Sequence, residues 1–178
     1  PDGVAAQWIS RIVRVPIVLS AHGCDLNYYT TSRVRAFQIT SALRAADAVT
    51  VVSTAQKSIA KRLGVRPEKL HITQNGVDFK KFSILNRIQC RKKIGLDENQ
   101  RIILFIGQLL EVKGVKYLIE AVKTLAAESH NDLVVFVLGE GALRKSLKTL
   151  ASANRLDGKI NFLGNKNYEE IPLWLGAA

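Results

Sequence analysis

Residues 101–119 read RIILFIGQLLEVKGVKYLI. The first six are almost uniformly apolar and rich in β-branched and aromatic types, which suits a strand covered on both faces. A glycine turn follows at Gly107 and Gln108, and after Lys113 and Gly114 the pattern changes period. Val115, Leu118, Ile119, Val122, Leu125 and Ala126 fall on one helical face, with Lys116, Glu120 and Lys123 elsewhere. A buried strand feeding an amphipathic helix through a glycine turn predicts a parallel sheet, because each crossover lays its helix back onto the sheet.

The same unit recurs in both directions. Strand-like runs are predicted at 16–21, 48–52, 70–73, 133–138 and 159–163. A helix is marked by Leu143, Leu147, Leu150 and Ala151, and another by Ala55, Ile59, Ala60 and Leu63 with Gly64 as its stop. The class is therefore α/β with parallel sheets. Strand signals lapse between Asn75-Gly76 and Gln100, apart from a short helical segment over 84–94, and the domain junction is expected there. This divides the chain into a first domain at 1–78, a linker at 79–99 and a second domain at 100–178. Asn75-Gly76 also suits a hairpin turn, although 77–81 makes a poor partner strand.

Of 178 residues, 47% are hydrophobic and 23% charged, which excludes a disordered chain. No apolar run reaches the length of a membrane helix, and Pro1-Asp2-Gly3 does not resemble a secretion signal. Cys24 and Cys90 are the only cysteines, without metal-ligand spacing, so two reduced thiols and a cytoplasmic location are expected. The net charge of +11 calls for an anionic partner. Its densest basic stretch, Lys80, Lys81, Arg87, Arg91, Lys92 and Lys93, reads as a solvated face or a contact for an anionic membrane. Nucleic acid is not expected, because the basic residues are not interleaved with stacking aromatics. The chain lacks methionine, starts at Pro1 and ends at Trp174-Leu175-Gly176-Ala177-Ala178, an apolar segment with nothing evident to pack on; it reads as an internal piece of a longer polypeptide.

Four loops follow strands directly: His22-Gly23-Cys24-Asp25, Gly107-Gln108-Leu109, Gly139-Glu140-Gly141 and Gly164-Asn165-Lys166. At the carboxyl edge of an open parallel sheet these are the positions that meet ligands. Lys113 and the amide groups of the next helix start suit a diphosphate, although Gly107 as a plain turn and Lys113 as a solvated lysine remain open. Gly139-Glu140-Gly141 repeats the design. It is a poor dinucleotide fingerprint, since Arg144 stands where that motif needs a small residue, and this disfavours a nicotinamide enzyme. His22 is either a strand-end histidine or a substrate contact, with Asp25 placed to orient it.

In their order, Val18-Leu19-Ser20-Ala21-His22-Gly23-Cys24-Asp25, Val51-Val52-Ser53, Gln74-Asn75-Gly76-Val77-Asp78 with Phe82, Gly107 through Lys113-Gly114, Leu138-Gly139-Glu140-Gly141 and Phe162-Leu163-Gly164 before Ile171-Pro172 resemble the family-4 (group 1) retaining glycosyltransferases. The resemblance covers nearly the whole chain. It implies a GT-B fold of two Rossmann-like domains, each incomplete here, with the active site between them. It also implies transfer of a sugar from a nucleotide-sugar donor to a glycan or lipid-linked acceptor with retained configuration, and no metal or other cofactor. By that likeness Lys113 pairs with the donor diphosphate, the Phe162-Leu163-Gly164 backbone meets the base, His22 contacts the donor sugar, Gly107 and Gly139 shape the cleft floor, and Gln108, Glu140 and Gly141 are among the donor-binding residues. The family commonly has arginine where this chain has Gln108. Its paired-glutamate motif would fall beyond Ala178 and its amino-terminal glycine loop before Pro1, so this stretch alone is expected to be inactive. Polysaccharide biosynthesis at the inner face of the plasma membrane is the implied setting. The competing expectation is a noncatalytic relic that binds nucleotide or anionic membrane.

Overall fold

A computed structural model describes residues 2–23, 26, 32–128 and 132–178. The chain forms two compact units, Pro1–Val77 and Asp78–Ala178. Among the described residues no helix is long and apolar enough to cross a membrane.

In the first unit β1 (Val18–Ala21), β2 (Ala48–Val51) and β3 (Leu70–Ile72) form one parallel sheet in that order, Val18 opposite Ala48 and Val49 opposite Leu70. The helices are α1 (Asp2–Val13), α2 (Arg33–Ala45) and α3 (Thr54–Arg62). Along β2 burial alternates, and Val49 and Val51 enter a core with Leu43, Ala46, Ala60, Val65 and Leu70. The start of α3 is set by reciprocal capping: the Gln56 N–H donates to Ser53 Oγ (3.2 Å) and the Val52 N–H donates to Gln56 Oε1 (3.2 Å). Gly64 ends the helix at φ +84°, as its sequence position predicts. From 73 to 78 the chain has no regular structure, so Asn75-Gly76 opens no hairpin.

The second unit holds β4 (Arg101–Ile106), β5 (Leu133–Leu138) and β6 (Ile160–Gly164), parallel and in that order. The helices are α4 (Arg87–Ile94), α5 (Val115–Ala127), α6 (Arg144–Ala153) and α7 (Ile171–Ala177). The central strand explains the continuous apolar runs. Val135 and Val137 pack beneath α5 and α6 with Ile119, Val122, Leu147 and Ala151, while Phe136 and Leu138 pack on the other face with Trp174, Ile102, Leu104 and Ile94. A strand that feeds two cores cannot alternate with polar residues.

Three expectations change. The apolar segment at the end of the chain does have a partner: Trp174 is 6% exposed and meets Phe136 edge-on at 5.4 Å between ring centroids. Residues 79–99, expected as a linker, lie within the second unit, where α4 packs on α7. The basic stretch is not one solvated face. Arg91 is 2% exposed, and its guanidinium donates to the carbonyls of Ala177 (2.8 Å), Asp97 (3.2 Å) and Glu98 (2.6 Å). Lys81 pairs with Glu169 and lies 3.8 Å from the Tyr168 ring centroid.

Arg91 thus satisfies carbonyls that would otherwise be stranded at the end of α7 and after α4. Arg91→Ala is expected to lower the unfolding free energy of the second unit by about 2 kcal/mol, the scale of leaving buried acceptors unpaired. Lys93→Ala, on the exposed side of α4, is expected to stay within about 0.5 kcal/mol. Urea denaturation followed by Trp174 fluorescence reads both, and equal midpoints would contradict the role of Arg91.

Candidate functional site

Three strand-end loops of the second unit are stitched together by main-chain bonds. The Gly107 N–H donates to the Leu138 carbonyl (3.0 Å), the Gly139 N–H to the Gly164 carbonyl (2.8 Å) and the Leu109 N–H to the Glu140 carbonyl (2.9 Å). Leu109, fully buried, anchors its loop in the core, and its carbonyl accepts from the Leu143 N–H at 3.1 Å. The approach is so close that glycine is obligatory at Gly139. There φ is +131°, and an added Cβ would overlap the Gly107 carbonyl, with the carbonyl carbon at 2.9 Å. Gly141 is similarly constrained, since an added Cβ would lie 2.5 Å from the Leu109 carbonyl oxygen. Gly107 itself has room for a methyl group, whose nearest neighbour would be Phe105 Cζ at 3.4 Å.

These loops border an open pocket of about 230 Å³, lined among others by Gly107, Gln108, Gly139, Glu140, Asn165 and Lys166. The structure therefore brings together four of the residues singled out from the sequence. Gly141 and Phe162-Leu163-Gly164 support the loops from behind. The Phe162 side chain packs against one core and the Leu163 side chain against the other, and neither residue lines the pocket. On β6, Phe162 pairs with Val137 and Gly164 with Leu138, which leaves Leu163 as an extra, bulged residue with no opposite number. Bulges of this kind re-aim a strand end beside a site.

Arg144, the residue that spoils the dinucleotide pattern, has its own task. It forms an ion pair with Glu140 and donates to the Phe162 carbonyl at 3.3 Å. A glycine or alanine there would remove this side-chain tie and leave the β5 loop held to β6 by the Gly139–Gly164 main-chain bond. Gly164 makes room for this pair, since a Cβ on it would lie 2.8 Å from Glu140 Oε1.

Lys113 is exposed on the short 3₁₀ turn Glu111–Lys113, and Gly114, at φ +68°, leads from it into α5. It does not line the pocket. Among the described residues it has no carboxylate partner, whereas Lys116 is 4.0 Å from Glu120. A cation at a helix start opposes the helix dipole, so the position costs local stability rather than adding to it. His22 stands exposed just after β1 in the first unit. Cys24 and Asp25 lie outside the described residues, and with them the expected Asp25–His22 contact. Among the described residues no group of three or more His, Cys, Asp or Glu is placed to hold a metal ion, and Cys90 is a buried free thiol.

Sequence reasoning placed Leu109, Asn165 and Lys166 in strand-end loops without giving any of them a role, and it gave Arg144 none as a site residue. Lys166 carried a signal, since it follows a glycine directly after a strand, but that loop reaches Gly107 only through the sheet order β4-β5-β6.

Glycine loops converging with helix starts at the carboxyl edge of a parallel sheet define a Rossmann-like α/β fold. The chain belongs to the glycosyltransferases of group 1: residues 86–178 match the family described as Glycosyl transferases group 1, and residues 1–81 match Glycosyltransferase Family 4. It is 29% identical to the alpha-D-kanosaminyltransferase of Streptomyces kanamyceticus, over 96% of this chain and 48% of that protein. It is 27% identical to an uncharacterized glycosyltransferase of Methanocaldococcus jannaschii, over 92% of this chain and 44% of that one. The crystal structure of Anabaena HepE in complex with UDP-glucose matches with a TM-score of 0.83 at 23% identity, covering 99% of this chain and 48% of that one, a likeness that shows the fold. The chain spans less than half the length of these relatives.

Proposed function

We propose that the second unit binds the diphosphate of a nucleotide-sugar donor, and that the protein carrying this chain transfers the sugar to a glycan or lipid-linked acceptor with retention of configuration. The observation that supports the reading is the pocket bordered by Gly107 and Gly139, where the absence of side chains would let a ligand approach the backbone. The Anabaena relative of the same fold was crystallised with UDP-glucose.

In this reading the leaving nucleoside diphosphate gains negative charge in the transition state. Lys113, although outside the pocket lining, and the first amide groups of α5, which have no acceptors within the helix, would receive that charge. No metal is required for that stabilisation. The Phe162-Leu163-Gly164 backbone meets the base, and His22 contacts the donor sugar. The protein acts in the cytoplasm.

The test uses a polypeptide spanning the full length of the relatives, supplied with UDP-, GDP- and ADP-hexoses and candidate acceptors. Proton NMR of the first-formed product is expected to show the anomeric configuration of the donor. Inverted product, or no transfer and no donor hydrolysis from any of the three, would overturn the proposal.

A further inference from the structure

The basic stretch over 80–93 plays no part in the donor site. Two of its cations have structural partners: Arg91 is buried against main-chain carbonyls, and Lys81 pairs with Glu169. Lys92 pairs with Glu98 at 3.3 Å. Lys80, Arg87 and Lys93 are exposed and have no carboxylate partner among the described residues. The chain carries no acid at all from Phe79 to Leu96.

Large apolar side chains stand among these cations. Phe79 is 81% exposed, Ile84 wholly so, and Ile88 46%. A lone exposed apolar residue needs no explanation, but here three fall in a short segment that is otherwise positive. The segment is pinned with these side chains outside. Phe82 meets the Tyr168 ring edge-on at 5.5 Å and Lys81 lies over the same ring, while the Asp78 carboxylate accepts the Lys80 N–H at 3.0 Å. Asn86 Oδ1 accepts the Gln89 N–H at 3.1 Å and starts α4, whose Cys90 and Arg91 are buried and whose Ile88, Lys92 and Lys93 are exposed.

We infer that residues 79–93 form a peripheral docking surface for an anionic lipid bilayer, with Lys80, Arg87 and Lys93 at the headgroups and Phe79, Ile84 and Ile88 entering the interface. Charge complementarity selects the anionic surface, and the interleaved apolar side chains select a bilayer, since a nucleic acid would use the cations and leave the isoleucines in water. This contact lies within the second unit and is independent of the donor site.

Sedimentation with vesicles reads it, using the 178-residue chain and a polypeptide spanning the length of the relatives. Both are expected to bind phosphatidylcholine vesicles containing about 30% phosphatidylglycerol, and to bind pure phosphatidylcholine at least about tenfold more weakly. Arg87→Gln combined with Lys93→Gln is expected to weaken binding about twentyfold and Ile84→Ser about fivefold, both with unchanged urea midpoints, while Arg87→Lys combined with Lys93→Arg stays within about twofold. Trp8→Ser, at an exposed position of α1 in the first unit, is expected to change nothing. Absence of binding, equal binding to neutral vesicles, parent-level binding in the glutamine pair or in Ile84→Ser, or a comparable fall in Trp8→Ser would overturn the inference. Binding by the 178-residue chain that the longer polypeptide lacks would mean that the rest of the protein covers this surface, and would overturn it as well.

Discussion

Gly139→Ala is expected to lower the stability of the second unit by about 4 kcal/mol, and Gly107→Ala by less than about 1 kcal/mol. Two costs combine at Gly139. A side chain at φ +131° occupies a region that only glycine enters freely, at about 1–3 kcal/mol. The new methyl group also meets the Gly107 carbonyl, a main-chain group that cannot rotate away, and overpacking of this kind costs about 1–3 kcal/mol. Relief requires the β4 and β5 loops to separate, breaking the bonds Gly107 N–H to Leu138 O and Leu109 N–H to Glu140 O. Gly107 meets its nearest neighbour at ordinary contact distance and pays neither cost. Urea unfolding followed by Trp174 fluorescence separates the two variants, and matching midpoints would contradict the close approach of the loops.

Lys113→Ala is expected to remove about 3 kcal/mol of transition-state stabilisation from the glycosyltransferase that carries this chain, about a hundredfold in turnover. The same change is expected to leave folding stability unaltered or slightly higher, because an exposed cation at the start of α5 opposes the dipole. Lys113→Arg keeps the charge and should recover part of the rate. This combination distinguishes a functional lysine from a structural one. Unchanged turnover in Lys113→Ala, or a fall in turnover matched by a fall in unfolding midpoint, would contradict the assignment.

Elements whose burial is dictated locally were readable from the sequence. β4 and β5 begin and end at the predicted residues, 101–106 and 133–138, because both faces of each strand are covered and the apolar run leaves no ambiguity. β1 starts later than the predicted run, at Val18: Pro16 has no N–H to contribute, and the Ile17 N–H is taken by the Asp47 carboxylate at 2.8 Å. α2 passed unnoticed because Val34 and Phe37 are 68% and 76% exposed, which blurs the helical period. The rest depended on residues far apart in sequence. Nothing around Arg91 announces that its partner is the Ala177 carbonyl, and nothing around Lys166 announces the Gly107 loop two strands away. The glycines at 107 and 139 look alike in sequence, and only the packed loops show that one is obligatory and the other is not.

Amide-resolved NMR of the 178-residue chain, titrated with UDP, GDP and ADP, tests directly whether a nucleoside diphosphate binds where the loops of the second sheet meet. At least one of the three is expected to shift the Gly107, Gly139 and Lys113 amides together and saturably. If all three leave those amides unmoved at millimolar concentration, or shift only residues of the first unit, the second unit is not the donor site.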